Sequence, residues 1–267
     1  MPGDSQHSIE ARKRFLQAGH YQPLQMLICE QMTGLLRALN EAKDNNAYNN
    51  SASDINWLDI GCGEGYYTQA MAQTGMDALI AADISKPAIV SLAKASKVAG
   101  QLWYQHDKDA QGTASTAPIY PLVTSAAHLP LRSNSVAGIS SIFSPILPAA
   151  FAEVLQEDGY LIIAKPDIDH LTSVRNALFE EVRAHDSDKF LVELAPYFTL
   201  LHTHQVSTTL NLSTSALDDL LTMTPYAYRA RIDKRQALLT TSQDQPFETT
   251  AKFVIYVLQK RVGSLNS

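Results

Sequence analysis

The stretch that decides the fold is Trp57-Leu58-Asp59-Ile60-Gly61-Cys62-Gly63-Glu64-Gly65-Tyr66-Tyr67-Thr68. It consists of a short apolar run that ends in an acid, three glycines at alternate positions, and the start of a helix-like segment. This order predicts a strand, a tight turn and a helix. Glycine lets the backbone bend sharply and approach a ligand closely, and the first turn of the helix offers unpaired amide donors. The turn is therefore predicted to bind a cofactor, with a glycine-rich turn that has no ligand as the alternative.

The spacing of the glycines separates two kinds of cofactor site. The dinucleotide fingerprint is G-x-G-x-x-G, whereas here the glycines alternate and Asp59 stands two residues before the first of them. A second acid, Asp83, follows an apolar run at 76–82, where a Rossmann-like unit places the carboxylate that holds ribose hydroxyls. The two features together resemble the S-adenosylmethionine pocket of class I methyltransferases. That resemblance implies that Asp59, Gly61 and Gly63 cradle the methionine part of the cofactor. It also implies that Asp83 accepts hydrogen bonds from both ribose hydroxyls.

Length and composition predict an ordinary globular protein. The chain has 267 residues, of which 45% are hydrophobic and 18% charged, so it can bury a full core. We expect a catalytic domain over residues 55–267, preceded by a helical extension and a flexible loop over residues 1–54. No apolar run approaches the roughly 20 residues of a membrane span, and the first residues lack a secretory signal. No membrane partner is therefore expected, and the expected compartment is the cytoplasm.

Charge and cysteine content narrow the partners and cofactors. The formal net charge is -6, whereas nucleic-acid-binding proteins usually carry a basic face, so charge alone disfavours RNA without excluding a local basic patch. The densest basic cluster is Arg12-Lys13-Arg14, which is either a solvated helix face or a phosphate contact. The two cysteines, Cys29 and Cys62, support neither a disulfide framework nor a zinc site.

Hydrophobic periodicity predicts two N-terminal helices and then an α/β core. The first helix is predicted at 8–18, with Ser8 as its cap and Gly19 as its stop, and the second at 24–39. Residues 41–54 are interpreted as a surface loop. The alternation of strands and helices after residue 55 predicts a Rossmann-like class I methyltransferase fold, a mostly parallel, doubly wound sheet with helices on both faces and an antiparallel C-terminal strand.

The predicted strands lie at 55–60, 77–82, 136–143, 160–164, 200–210 and 253–258, and the predicted helices at 66–73, 86–98, 151–155, 171–184 and from a Ser213 cap to residue 221. The third strand has no clear position, because both 102–104 and 119–123 are candidates.

A second resemblance rests on five peptides, at residues 12–24, 58–68, 83–86, 128–130 and 223–230. They resemble the bacterial 23S rRNA (guanine-N1-)-methyltransferases of the RlmA type. The first and last peptides are specific to that family, and the similarity spans nearly the whole chain. The resemblance implies methyl transfer from S-adenosylmethionine to ring nitrogen N1 of a guanine in a 23S rRNA hairpin.

The family resemblance also implies further cofactor contacts. They fall on Tyr21, Gly63, Glu64 and His170. Tyr21 would close the pocket from the N-terminal side, and a ring that anchors the helix after it is the alternative.

The sequence departs from the family in two places. Members usually begin with a small zinc module of three cysteines and a histidine, and this chain begins after the point where that module would end, so no zinc is expected in it. After the fourth strand the family tends to have Ile-Tyr-Ala-Pro, where this chain has Ile142-Phe143-Ser144-Pro145. The same peptide lacks the Asn/Asp-Pro-Pro-Tyr signature of adenine and cytosine N-methyltransferases, which disfavours those substrates.

Guanine N1 bears a proton that must leave during the transfer. Candidate bases near the strand ends are Asp167, Asp169 and His128. Turn capping is the alternative for the two aspartates, and a cofactor-adenine or structural contact is the alternative for the histidine.

A guanine in a hairpin must leave its stack to reach such a pocket, and aromatic side chains would then hold it. Phe143, Tyr226 and Tyr228 are the candidates for that wall. Arg229 and Arg231 are candidates for phosphate contacts, with packing and solvated charge as the alternatives. Two other functions stay open: a small-molecule methyltransferase, which the acidity favours, and a non-catalytic protein that retains the cofactor. A homodimer is a further open alternative.

Overall fold

The computed structural model describes residues 4–45, 54–102, 116–180 and 189–263. Within these ranges seven strands form one sheet, and their bounds are β1 (Asn56–Ile60), β2 (Ala78–Asp83), β3 (Ile119–Val123), β4 (Val136–Ile142), β5 (Leu155–Pro166), β6 (Phe198–Leu212) and β7 (Phe247–Lys260). The strand order is β3-β2-β1-β4-β5-β7-β6. Every pairing among β1 to β5 is parallel, while β7 runs antiparallel to both β5 and β6. The predicted class I methyltransferase architecture is confirmed.

Helices cover both faces of this sheet. Strands buried on both faces alternate their side chains between two apolar layers, so Trp57 of β1 packs in one buried cluster and Leu58 in the other. The described helices are α1 (Gln6–Gln17), α2 (Gln22–Asn45), α3 (Tyr66–Met71), α4 (Lys86–Val98), α5 (Pro148–Val154), α6 (Thr172–Leu178), α7 (Lys189–Leu194), α8 (Thr214–Met223), α9 (Tyr226–Arg229) and α10 (Ile232–Thr241).

The N-terminal helices differ from the prediction at their ends. The cap of α1 is Ser5, whose hydroxyl accepts a hydrogen bond from the Ser8 amide, so the prediction that Ser8 caps this helix is wrong. Helix α2 continues to Asn45, so the predicted loop begins too early. Its last turn lacks apolar periodicity, which is why the sequence predicts a loop there, but it contains good helix formers. An ion pair between Lys43 and Asp77, at 3.6 Å, also connects this turn to the residue before β2. Residues 46–53 of the predicted loop lie outside the described residues.

The third strand is β3, which pairs with β2 over residues 119–123. Leu102 makes only an isolated bridge to Ile119, and residues 103–104 of the other candidate strand lie outside the described residues. The helix predicted at 171–184 is shorter, because α6 ends at Leu178, and residues 181–184 are outside the described part of the chain.

Helices α1 and α2 belong to the same core as the sheet. Phe15, Leu24 and Ile28 are fully or almost fully buried in the cluster that also contains Trp57 and Ile255. Helices α1 and α2 therefore pack in the same core as the sheet. The predicted boundary at residue 54 between an N-terminal extension and the catalytic domain stays a prediction. In the described residues no helix is both long and apolar enough to span a membrane.

Glycine 138 allows β1 and β4 to approach each other at the centre of the sheet. Gly138 pairs with Trp57 in the parallel register of these strands. A Cβ atom at Gly138 would lie 2.1 Å from Cζ3 of Trp57, whose side chain is completely buried. Because the indole has no room to move in a close-packed interior, this glycine is needed for packing.

We expect Gly138→Ala to lower the free energy of unfolding by about 1–3 kcal/mol, the usual cost of overpacking a core. The matched control is Gly34→Ala in α2, where a Cβ would meet nothing within 4 Å. That control should raise stability by about 0.5–1 kcal/mol, since alanine favours helices over glycine. Urea unfolding of the two variants measures both effects, and equal stability of Gly138→Ala and the unmodified protein would contradict the packing argument.

Candidate active site

The glycine turn lies at the carboxyl end of β1, where it connects to α3. The amides of Gly61 and Cys62 both donate to the carbonyl of Ala82, at 2.7 and 3.2 Å, and so attach the turn to the end of β2. Gly61 has a φ of +71°, and a Cβ there would lie 2.3 Å from Cβ of Ser144. The turn can therefore pack directly against the segment that follows β4 only because residue 61 has no side chain.

Asp59 stabilises the base of this turn. Its carboxylate is buried and accepts hydrogen bonds from the Thr68 hydroxyl of α3 and the Ser140 hydroxyl of β4, each at 2.7 Å. Burial raises the pKa of Asp59 to about 6, and the two hydroxyls partly oppose that shift. In the structure each carboxylate oxygen is thus engaged within the fold. The predicted contact of Asp59 with the cofactor stays a prediction.

Asp83 lies beside the same turn, at the end of β2. One oxygen accepts a hydrogen bond from the Ser85 amide at 2.7 Å, and the other accepts from the Gly63 amide at 3.0 Å. The side chain is only half-buried, and a carboxylate oxygen can accept more than one hydrogen bond. Asp83 therefore has acceptor capacity left for the ribose hydroxyls that the sequence predicts.

Helix α1 covers the glycine turn with an arginine. The guanidinium of Arg12 forms an ion pair with Asp4 and lies 3.6 Å from Oε2 of Glu64. It would also lie 3.3 Å from a Cβ at Gly63. The sequence left two alternatives for the basic cluster, a solvated helix face and a phosphate contact. Arg12 fits neither, because its side chain is three-quarters buried against acids.

The surroundings of the turn suit S-adenosylmethionine, which carries a positive sulfonium and an ammonium group. Burial, followed by the carboxylates of Asp59, Asp83 and Glu64, raises the pKa of the Cys62 thiol well above its usual value. Glu64 is itself buried, and its Oε2 has no hydrogen-bond partner within the described residues. Burial raises the pKa of Glu64 more than the nearby Arg12 lowers it. The three acids around the turn, Asp59, Glu64 and Asp83, therefore suit a cationic cofactor.

An aromatic cluster lies next to the turn. Tyr21 packs edge-on against Phe253, with ring centroids 4.8 Å apart, and His170 lies 4.6 Å from the same ring. Phe143 lies 5.4 Å from Phe253 and 6.2 Å from Tyr67. The predicted residues Tyr21, His170 and Phe143 are thus brought together. Sequence reasoning missed Phe253 and Tyr67, although Phe253 begins the predicted last strand and Tyr67 belongs to the opening stretch.

His170 is a neutral side chain in this cluster. It is buried, and its Nδ1 lies 2.9 Å from the carbonyl oxygen of Lys252 on β7. Burial lowers the pKa of His170 to about 4, and the positive charge of Arg175 lowers it further. Around neutral pH the imidazole therefore presents an uncharged ring to the pocket.

The predicted bases follow two strands that are far apart in the sheet, β5 and β3. Asp167 and Asp169 belong to the turn that contains His170, where Asp167 accepts from the Ile168 amide at 2.6 Å and Asp169 pairs with Lys252 at 3.3 Å. His128 is exposed in the turn that follows β3, and its carbonyl accepts from the Thr124 hydroxyl. The structure therefore brings the two aspartates together and separates them from His128.

The predicted substrate residues after Pro225 form the short helix α9. Tyr226 packs against Phe179 at 5.7 Å and is half-buried, whereas Tyr228 is 77% exposed. Arg229 is also exposed, and Arg231 pairs with Asp233 at 3.0 Å. Tyr226 thus connects α9 with the end of α6, and the contacts of these residues with a substrate stay predictions.

No group of three or more histidine, cysteine, aspartate or glutamate side chains in the described residues could hold a metal ion.

The fold and this site define a class I S-adenosylmethionine-dependent methyltransferase. In agreement, residues 58–163 match the methyltransferase domain family. YcgJ protein from Bacillus subtilis shares the fold, with a TM-score of 0.50 at 14% identity over 79% of this chain and 94% of that one.

Two named relatives confirm the resemblance to the 23S rRNA (guanine-N1-)-methyltransferases. The chain is 27% identical to the 23S rRNA (guanine(748)-N(1))-methyltransferase of Streptomyces fradiae, over 88% of this chain and 73% of that protein. It is also 27% identical to a protein of Micromonospora griseorubida whose name assigns it to the 23S rRNA (guanine-N(1)-)-methyltransferases, over 93% of this chain and 78% of that protein.

We expect Asp83→Asn to weaken S-adenosylmethionine binding about 10- to 100-fold, because a charged acceptor for the ribose hydroxyls is lost. The matched control is Asp77→Asn at the opposite end of β2, where the carboxylate accepts from the Ile55 amide. Isothermal titration calorimetry of the two variants measures the effect. Equal affinities would remove the ribose assignment.

The raised pKa of Asp59 predicts a pH-dependent stability. A carboxyl group whose pKa rises on folding stabilises the fold below its unfolded pKa, and this contribution is lost as pH rises through about 6. We expect Asp59→Asn to gain stability relative to the unmodified protein between about pH 4 and pH 7, by on the order of 3 kcal/mol. Denaturant unfolding at both pH values, without cofactor, measures the change. A difference between the two proteins that is independent of pH would contradict it.

Proposed function

We propose that this methyltransferase transfers the methyl group of S-adenosylmethionine to N1 of a guanine in 23S rRNA, and that it acts in the cytoplasm. The names of the relatives supply the substrate class. The observation in the structure that supports this proposal is the ring of Phe143, which is 43% exposed although it packs in the aromatic cluster against Phe253 and Tyr67.

The position of Phe143 is set by the backbone. Its φ is +56°, an uncommon conformation for a residue with a side chain, and its amide donates to Ala164 of β5 at 3.0 Å. This bond fixes the residue at the carboxyl ends of the central strands. An exposed aromatic face at that place suits an unstacked base, because every base has a flat face that can stack.

S-adenosylmethionine supplies an electrophilic methyl group on a sulfonium, so the protein has to orient the nucleophile and exclude water. The new bond joins the methyl carbon to N1, the electron pair of the broken bond stays on sulfur, and the N1 proton leaves. Among the candidate bases, Asp167 has the best position. It is half-buried on the turn of His170, and its second oxygen has only a 3.4 Å contact with Gln205.

The net charge of -6 favours the other candidate function, a methyltransferase of small molecules. Acids around the cofactor account for part of that charge, so it does not describe the substrate side of the pocket. The two functions differ in where the methyl group is found after the reaction.

We expect the protein to transfer tritiated methyl groups from S-adenosylmethionine to unmodified 23S rRNA, and digestion to release 1-methylguanosine. A metabolite extract serves as the competing acceptor. Label that enters only the extract would overturn the rRNA proposal and favour the small-molecule function.

The same assay tests the aromatic wall. We expect Phe143→Ala to raise the KM for rRNA about 10- to 100-fold, because base stacking contributes about 1–3 kcal/mol. The matched control is Phe143→Tyr, which retains the ring and should keep the KM close to that of the unmodified protein. An unchanged KM for Phe143→Ala would contradict the stacking role.

A further inference from the structure

Arg175 differs from the other arginines that the structure describes. It has intermediate exposure, its Nε atom is buried, and that atom has no hydrogen-bond partner within the described residues. A buried donor without a partner is costly, so such groups usually bind something. By contrast, Arg12, Arg14, Arg231 and Arg235 each pair with an aspartate, and Arg37, Arg132 and Arg229 are exposed.

Arg175 lies close to the aromatic cluster and to α9. Helix α6 begins just after His170, and residues four apart share one face of a helix. Phe179, four residues after Arg175, packs on the ring of Tyr226 at 5.7 Å. The positive charge of Arg175 lowers the pKa of both Tyr226 and His170. Arg175 therefore lies between the aromatic cluster and the predicted substrate residues of α9.

The sheet order places this arginine on the side opposite to the cofactor turn. The glycine turn and Asp83 follow β1 and β2, whereas α6 packs on β7, and β4 and β5 lie between β1 and β7. Three strand spacings of about 4.8 Å separate β1 from β7. Arg175 therefore lies away from the glycine turn, on the β7 side of the sheet, where His170 and Phe253 also lie.

We propose that Arg175 binds the phosphodiester of the target nucleotide through its guanidinium while the base lies against Phe143. This inference rests on the proposed rRNA function. A guanidinium binds phosphate with two parallel hydrogen bonds, which fixes orientation as well as charge. Arg175 would therefore position the backbone next to the flipped guanine. The sequence names other residues for phosphate contacts, Arg229, Arg231 and the basic cluster at 12–14, but not Arg175.

The test compares Arg175→Gln with Arg132→Gln. Arg132 is exposed, its side chain has no partner in the described residues, and it precedes the amino end of β4, at the opposite end of the strands from the glycine turn. We expect Arg175→Gln to weaken 23S rRNA binding at least about tenfold and to reduce the slope of log K against log salt by about 1. The affinity for S-adenosylmethionine and the melting temperature should stay unchanged. Arg132→Gln should resemble the unmodified protein in all four measurements.

A second variant keeps the inference testable if Arg175→Gln does not fold. Arg175→Lys retains the charge but not the two parallel hydrogen bonds, so it should keep the salt slope and lose several-fold in rRNA affinity. Unmodified protein that neither binds nor methylates 23S rRNA would overturn the proposed function, and this inference with it. Normal activity of the unmodified protein with unchanged rRNA binding by Arg175→Gln and Arg175→Lys would overturn the Arg175 inference alone. Weakened S-adenosylmethionine binding in place of weakened rRNA binding would also overturn it.

Discussion

A buried carboxylate holds the functional end of this sheet together. Asp59 accepts hydrogen bonds from Thr68 on α3 and from Ser140 on β4, so one side chain connects the strand before the glycine turn with the helix after it and with the next strand. Burying a charge costs free energy unless hydrogen bonds offset that cost, and here two hydroxyls do so only in part. The turn therefore keeps its shape at some expense of stability, which is common where a protein must preserve an acidic pocket.

The sequence was most informative where the signal was local. Alternate glycines after an apolar run predict the turn, and Asp83 follows at the end of the next strand. In the structure the turn and Asp83 lie at the same edge of the sheet, where the Gly63 amide donates to Asp83. Helix α4 has the predicted bounds because Ser85 caps it and Gly100 follows it. The third strand was ambiguous because the pairing of β3 with β2 involves residues far apart in the chain.

Other parts of the site could not be predicted, because they depend on contacts between distant segments. Phe253 joins Tyr21 and His170 only because β7 pairs with β5, and neither segment alone contains a signal for that contact. Arg175 is similar, since a single arginine in a short helix has no recognisable motif. Net charge also says little about the surface around any one site. Acids cluster around the cofactor turn, whereas Arg229 on α9 is exposed and has no acidic partner within the described residues.

The position of β7 has a consequence for synthesis of the protein on the ribosome. This strand comes last in the described chain, yet it lies between β5 and β6 and contributes Phe253 to the pocket. Until residue 260 has emerged, β5 has an unpaired edge and β6 has no neighbour within the sheet. Unpaired strand edges promote aggregation, so the nascent chain is most prone to aggregate during this interval. The aromatic cluster is therefore complete only after β7 has been synthesised and has paired with β5.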